Sequence, residues 1–174
     1  QTWGATGVQV TNTGSFVASP RVAATSDGAA VVAWTQDDHV RLQRISSAGT
    51  VEWAAGGIAL PPPPGSQLSL SSICTSDDGA VCVLWVQETG GFGGPRQLYA
   101  QKVSSTGAPL WPLPSVTVFD TGTIQFGNFP RMIPDGSGGM LVAWYGTGPL
   151  QSYAQHVLAD GTLAFGAGGV EVST

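Results

Sequence analysis

The residues best equipped for chemistry fall in a few short segments. Asp37, Asp38 and His39 are consecutive, Glu88, Phe92 and Arg96 lie close together, and Phe126, Asn128 and Tyr145 follow further on. Aromatic rings beside Asp, Asn and Arg suit sugar recognition, with ring stacking on an apolar sugar face and directional hydrogen bonds around it. The same residue types are favoured where proteins meet proteins. The plain alternative is a set of solvated loops with some aromatics turned inward. Catalytic signals are sparse. There are only two His (His39 and His156) and three Glu (Glu52, Glu88 and Glu171). No Gly-x-Ser-x-Gly elbow, His-Glu-x-x-His helix or phosphate loop occurs. The reading is therefore a non-enzyme. A paired-carboxylate glycoside hydrolase is the less favoured option, because carboxylates distant in sequence can meet in space.

No cofactor or metal is expected. Asp37-Asp38 and Asp77-Asp78 lack the alternating oxygen ligands of a calcium loop. Cys74 and Cys82, the only cysteines, flank Asp77-Asp78-Gly79, a turn sequence that sets them across from one another. That placement allows a disulfide and equally allows two buried thiols. Two Cys without a nearby His are too few for a zinc site.

The elements that must position these residues are repeated. Pro20 to Trp34, Ser71 to Trp85 and Pro130 to Trp144 align without a gap, each with a turn at Asp or Gly and an apolar run ending in Trp. A second motif follows each of them. Gln43, Gln101 and Gln155 each precede a Gly (Gly49, Gly107, Gly161) by six residues and an aromatic (Trp53, Trp111, Phe165) by ten. Alternation of period two then marks a closing strand, as in Ile58-Ala-Leu60 and Val116-Thr-Val118. The same closing element occurs once more, at Trp3 to Val10. Arg44, Lys102 and His156, one residue past each Gln, read as a solvated strand face. The recurrent Trp residues read as core, and the Gln residues as amides that bond backbone between repeats.

The expected organisation is a single repeat domain over 1–174, with an extra strand at 1–10 and repeats at 11–60, 61–118 and 119–174. Each repeat holds four short strands, and the period matches a propeller blade. Asp135 to Trp144 (Asp-Gly-x-Gly-Gly-x-x-Val-Ala-Trp), with Ala154-Gln155 and Gly161 after it, resembles the propeller-type repeats of many large secreted bacterial proteins. The resemblance covers nearly the whole chain and speaks to fold more than to activity. The Trp-Asp dipeptide of WD repeats and the tight Asp-box of sialidases are both absent.

The fold expected is all-β: three four-stranded β-propeller blades, completed to six by dimerisation, because closed rings have about four to eight blades. A single-chain β-trefoil or β-prism is the alternative. The loops after the Trp and after the closing strand vary in length, and variable loops on one face mark the binding face of a repeat fold. All nine candidates named above fall in or beside those loops. The function expected is a non-catalytic, lectin-like module with a carbohydrate ligand, by analogy with small propeller lectins. A structural or assembly subunit, or a protein-interaction subunit with no small ligand, is the other reading. The partners expected are the chain itself, then glycans or a surface protein.

Composition narrows the classes further. The chain has 174 residues and a net charge of −5, with six Lys plus Arg. That leaves no basic stripe for nucleic acid. No apolar run approaches a membrane-spanning length. Charged residues are only 10% but apolar ones reach 42%, enough for a packed core. With the resemblance, this points to a secreted, extracellular or cell-surface protein.

Overall fold

The computed structural model describes residues 3–11 and 15–173. Its described residues form strands and turns with no helix, so no helix is long and apolar enough to cross a membrane. The twelve strands make three four-stranded antiparallel sheets, and the chain is all-β. The first sheet holds β1 (Val17–Ala24), β2 (Ala30–Gln36), β3 (His39–Ile45) and β4 (Ile58–Leu60). The second holds β5 (Ser66–Thr75), β6 (Val81–Thr89), β7 (Arg96–Val103) and β8 (Val116–Phe119). The third holds β9 (Arg131–Pro134), β10 (Met140–Tyr145), β11 (Ser152–Val157) and β12 (Val170–Glu171). In each sheet the spatial order of strands is their order along the chain.

The repeated sequence explains the repeated register. Val22 pairs with Val32, Ile73 with Val83 and Met132 with Val142, which are equivalent positions in the three alignments. The turn between the first two strands of a sheet closes at Gly28, Gly79 or Gly138, each with positive φ, the conformation that glycine adopts without a steric penalty. The Gln at the centre of the third strand then fixes the return to the fourth. Gln101 Oε1 accepts from the backbone N–H of Trp111 and of Lys102, at 2.9 and 3.0 Å. Gln43 does the same for Trp53 and Arg44, and Gln155 for Phe165 and His156. These amides are fully buried and act inside their own sheet, where bonds between repeats were expected.

Beside each Gln sits a basic side chain paired with a carboxylate. Arg44 bridges Asp27 and Glu52, Lys102 Nζ lies 2.5 Å from Asp77, and His156 Nε2 lies 2.8 Å from Asp135. The solvated face expected for these three residues is not found for Arg44 and Lys102, which are buried. Alternation had placed them opposite the Gln, and the neighbouring sheet covers that side.

The sheets stack in chain order. The second is the middle layer, and β6 is buried without a break from Val81 to Val86. First strands approach one another: β1 contacts β5, and β5 contacts β9. Leu70 N–H donates to Thr35 Oγ1 across the first boundary, and Ser71 Oγ donates to the Pro130 carbonyl across the second. The third sheet is covered on one side only. In β10, Met140, Val142 and Trp144 are buried while Leu141, Ala143 and Tyr145 are exposed.

The extra strand expected over 1–10 is absent within residues 3–10, which carry no ladder. A closing strand needs a third strand to pair with, and those of all three sheets already pair with β4, β8 and β12. Residues 1 and 2 lie outside the described residues. Trp3 nevertheless takes its repeat-equivalent place, its indole Nε1–H donating to the Ser47 carbonyl at 3.2 Å.

Candidate functional site

Strands alternate in direction, so the loops after the second and fourth strands of each sheet emerge at one end of the stack. The loop between β6 and β7 and the segment between β8 and β9 meet there. Glu88 and Arg96 are register partners at the mouth of the first loop. Glu88 Oε2 accepts from Arg96 Nη1 at 2.9 Å, and Glu88 Oε1 accepts from Gly93 N–H at 2.8 Å. Both side chains are largely buried, so the pair clamps the base of the loop.

Aromatic rings cover this pair. The Arg96 guanidinium lies 5.1 Å from the centroid of Phe126 and 5.8 Å from that of Phe129, within cation–π range. Phe92 meets Phe126 edge to face at 5.3 Å. Phe92 is 89% exposed, which is unusual for a ring that already has an aromatic partner nearby. Asn128 Nδ2 donates to the Tyr145 carbonyl at 3.3 Å, tying the same segment to the third sheet. Of the nine candidates, the structure thus gathers Glu88, Phe92, Arg96, Phe126, Asn128 and Tyr145 at the boundary of the second and third sheets.

Asp37, Asp38 and His39 stand apart, on the first sheet. Asp37 and Asp38 both have positive φ and form the two-residue turn between β2 and β3, whose ends pair Gln36 with His39. That is the primed turn which suits hairpin twist and favours Asp. His39 Nδ1 donates to the Asp37 carbonyl at 2.6 Å. Local turn geometry therefore accounts for these three residues. Among the described residues no three His, Cys, Asp or Glu side chains group as metal ligands.

Cys74 and Cys82 are register partners, as the intervening turn implies, and both are buried free thiols. The contact with Cys82, together with burial, pushes the Cys74 thiol well up from its ordinary value.

Sequence reasoning missed a cleft of about 440 Å³ beside this cluster, on the other side of the β8–β9 segment. Phe119 and Tyr153 line it together with Thr121, Thr123 and Thr147. Thr123 connects the two features, since its hydroxyl accepts the backbone N–H of Arg96 at 2.9 Å. The cleft is assembled from the end of β8 and the segment after it, the loop between β10 and β11, and the stretch before β12, so no single stretch carried its signal. No protein-family model matches the chain, and no curated protein or solved structure matches it either.

Proposed function

We propose that the chain is a non-catalytic, extracellular binding module built of propeller blades, and that it takes carbohydrate at the end of the stack bearing the variable loops. The observation that carries this reading is the exposed aromatic cluster of Phe92, Phe126 and Phe129 over the buried Glu88–Arg96 pair. A rigid base under exposed rings is what a stacking ligand needs, because the platform is ordered before the ligand arrives. Glu88 has both oxygens engaged in holding the loop, which favours a structural role for it over acid–base work. The blade reading draws support from ladders confined to single repeats, from adjoining first strands and from a middle sheet buried on both faces. A prism would leave an outer face on every sheet, and a trefoil would share strands in one barrel.

The test is a glycan array probed with the 174-residue chain, alongside Phe92→Ala and Phe126→Ala. Binding of a glycan class that weakens at least tenfold in both variants, with unchanged circular dichroism, is the expected result. No glycan bound at high protein concentration overturns the ligand assignment.

A second reading, an assembly subunit, is favoured by a different observation. Ile133 is 60% and Leu141 37% exposed on the open face of the third sheet, whereas their counterparts Ala23, Val31, Cys74 and Cys82 are buried beneath the next sheet. The repeat itself indicates what belongs on that face: another blade, supplied by a second copy. Such pairing of two chains completes six blades.

A further inference from the structure

We infer that the cleft between the second and third sheets is a subsite for one uncharged sugar ring, an inference that rests on the carbohydrate reading above. Its volume of about 440 Å³ is within the range of small-molecule sites. No Asp, Glu, Lys, Arg or His lines it. A charged ligand would surrender its hydration there without a counter-charge, which is costly, whereas a neutral polyhydroxylated ring would not.

The lining offers both halves of sugar recognition. Tyr153 stacks on Trp144 with centroids 5.9 Å apart and planes at 19°, and on Phe119 at 6.3 Å and 27°. This near-parallel set holds Tyr153 firmly and presents flat apolar surface. The hydroxyls of Thr121, Thr123 and Thr147 supply the polar side. Thr147 Oγ1 spends its hydrogen on the Thr123 carbonyl, at 3.1 Å, which fixes the group and keeps its lone pairs for a ligand hydroxyl.

Comparison with the preceding boundary shows that the opening is specific to this pair of repeats. The equivalent space between the first and second sheets is only about 70 Å³, closed in part by Pro63, Gln87 and Pro114. By repeat alignment these three positions become Thr121, Gly146 and Gly168. Two bulky prolines and a glutamine are thus replaced by a hydroxyl and two glycines. The glycines have no slack around them. A Cβ at Gly146 would lie 3.2 Å from the Tyr153 ring, and one at Gly168 would lie 3.0 Å from Thr121 Oγ1. Apart from Tyr153 and Thr147, then, the cleft exists because large side chains are missing where the neighbouring boundary has them.

The experiment uses NMR of the 15N-labelled chain titrated with methyl glycosides of glucose, galactose, mannose and N-acetylglucosamine, and with glucuronic acid as the charged control. Gly146→Gln restores the residue of the closed boundary, and Thr147→Val removes the fixed hydroxyl while keeping its shape. We expect at least one neutral glycoside to shift the amides of Thr121, Gly146 and Gly168. Affinity should fall at least tenfold in Gly146→Gln and about three- to tenfold in Thr147→Val, with both variants retaining the wild-type circular dichroism. If glycans bind the chain but shift only amides near Phe92 and Phe126, and Gly146→Gln binds as well as wild type, the cleft assignment falls and the carbohydrate reading stands. If glucuronic acid occupies the cleft more tightly than the neutral sugars, the uncharged class is wrong. If no sugar binds by array or by NMR, both fall.

Discussion

The indole of Trp111 reaches from the second sheet to the third, where its Nε1–H donates to the Ala159 carbonyl at 2.9 Å. Trp53 makes the same bond to Ser105 at 3.0 Å, and Trp3 to Ser47. The three acceptors are equivalent positions in the turn after the third strand. The aromatic of one repeat therefore staples the next repeat, and the sheets are joined in series. Phe165 holds the fourth place and has no side-chain N–H to donate.

Replacing Trp111 by Phe should remove the staple while leaving most of the packing. We expect a loss of about 1 kcal/mol, the net worth of an ordinary hydrogen bond. Trp111→Ala, which also empties a buried site, should cost about 3–5 kcal/mol. Urea unfolding monitored by circular dichroism checks both. Equal losses in the two variants would deny the hydrogen bond a separate role.

The buried amides give a second test. Gln101→Leu keeps similar volume but leaves the N–H groups of Trp111 and Lys102 without that acceptor. The expected cost is about 1–3 kcal/mol for each orphaned donor. Hydrogen exchange at these two amides should accelerate more than at the remaining β7 amides. A variant as stable as wild type would show that the loop before β8 is held by other means.

Much of this was legible in the sequence because the repeat prints each strand three times. Register, turn positions and the core Trp set all follow from an alignment of the chain with itself. The end of the stack that carries the long loops also follows, since loop length varies only there. Relations between repeats were not legible. Gln101 looked like a bridge to a neighbour, yet its ten-residue spacing to Trp111 serves its own sheet. Lys102 looked solvated because alternation gives the side of a strand and not what covers that side. The cleft at Tyr153 depends on side chains that are absent, and absence reads as sequence only after the two boundaries are superposed.

Acid should loosen the sheets in a defined window. The Asp77 carboxyl is held below its ordinary value chiefly by the hydrogen bond from Lys102. Asp27 is held low first by the Thr25 hydroxyl, then by the Ala29 N–H and Arg44. Burial works the other way on Asp135, but His156 and the N–H groups of Ser137 and Gly139 outweigh it. A carboxyl with a depressed folded-state pKa contributes stability above its unfolded value of about 3.9, and loses it as pH falls through the folded value. Urea midpoints should therefore be level down to about pH 4 and drop below it. Asp77 is half exposed, so its share should be modest and reduced by salt. Asp77→Asn should start from lower stability at pH 7, because buried Lys102 loses its partner, and should fall less steeply in acid. An unchanged acid slope would exclude Asp77 from the effect.

Thiol chemistry separates the two states open to Cys74 and Cys82. As buried free thiols they should resist Ellman's reagent in the folded chain and release two equivalents in denaturant without reductant. A disulfide between these register partners, formed in protein prepared under oxidising conditions, would give the opposite result. Zero equivalents in denaturant, restored to two by reductant, would identify it.

The open face of the third sheet makes the assembly reading testable at single residues. Leu141 and its cross-strand partner Ile133 occupy the places of Cys82 and Cys74, which the third sheet covers. The adjoining depression of about 350 Å³ is lined almost wholly by apolar groups. Burying such a surface is favourable in proportion to its area, and a charge placed at its centre opposes that burial. Light scattering across a dilution series should give a particle of about twice the 17.8 kDa chain mass. Leu141→Glu and Ile133→Glu should each return it to a monomer with unchanged circular dichroism, since both side chains already face solvent within one chain. Val22→Glu, on the exposed face of the first sheet, should do the same if that face is the receiving one. A dimer that survives the third-sheet substitutions but not Val22→Glu would indicate pairing of first sheets with each other. A wild-type monomer at every concentration would remove self-association and leave the open face to some other blade.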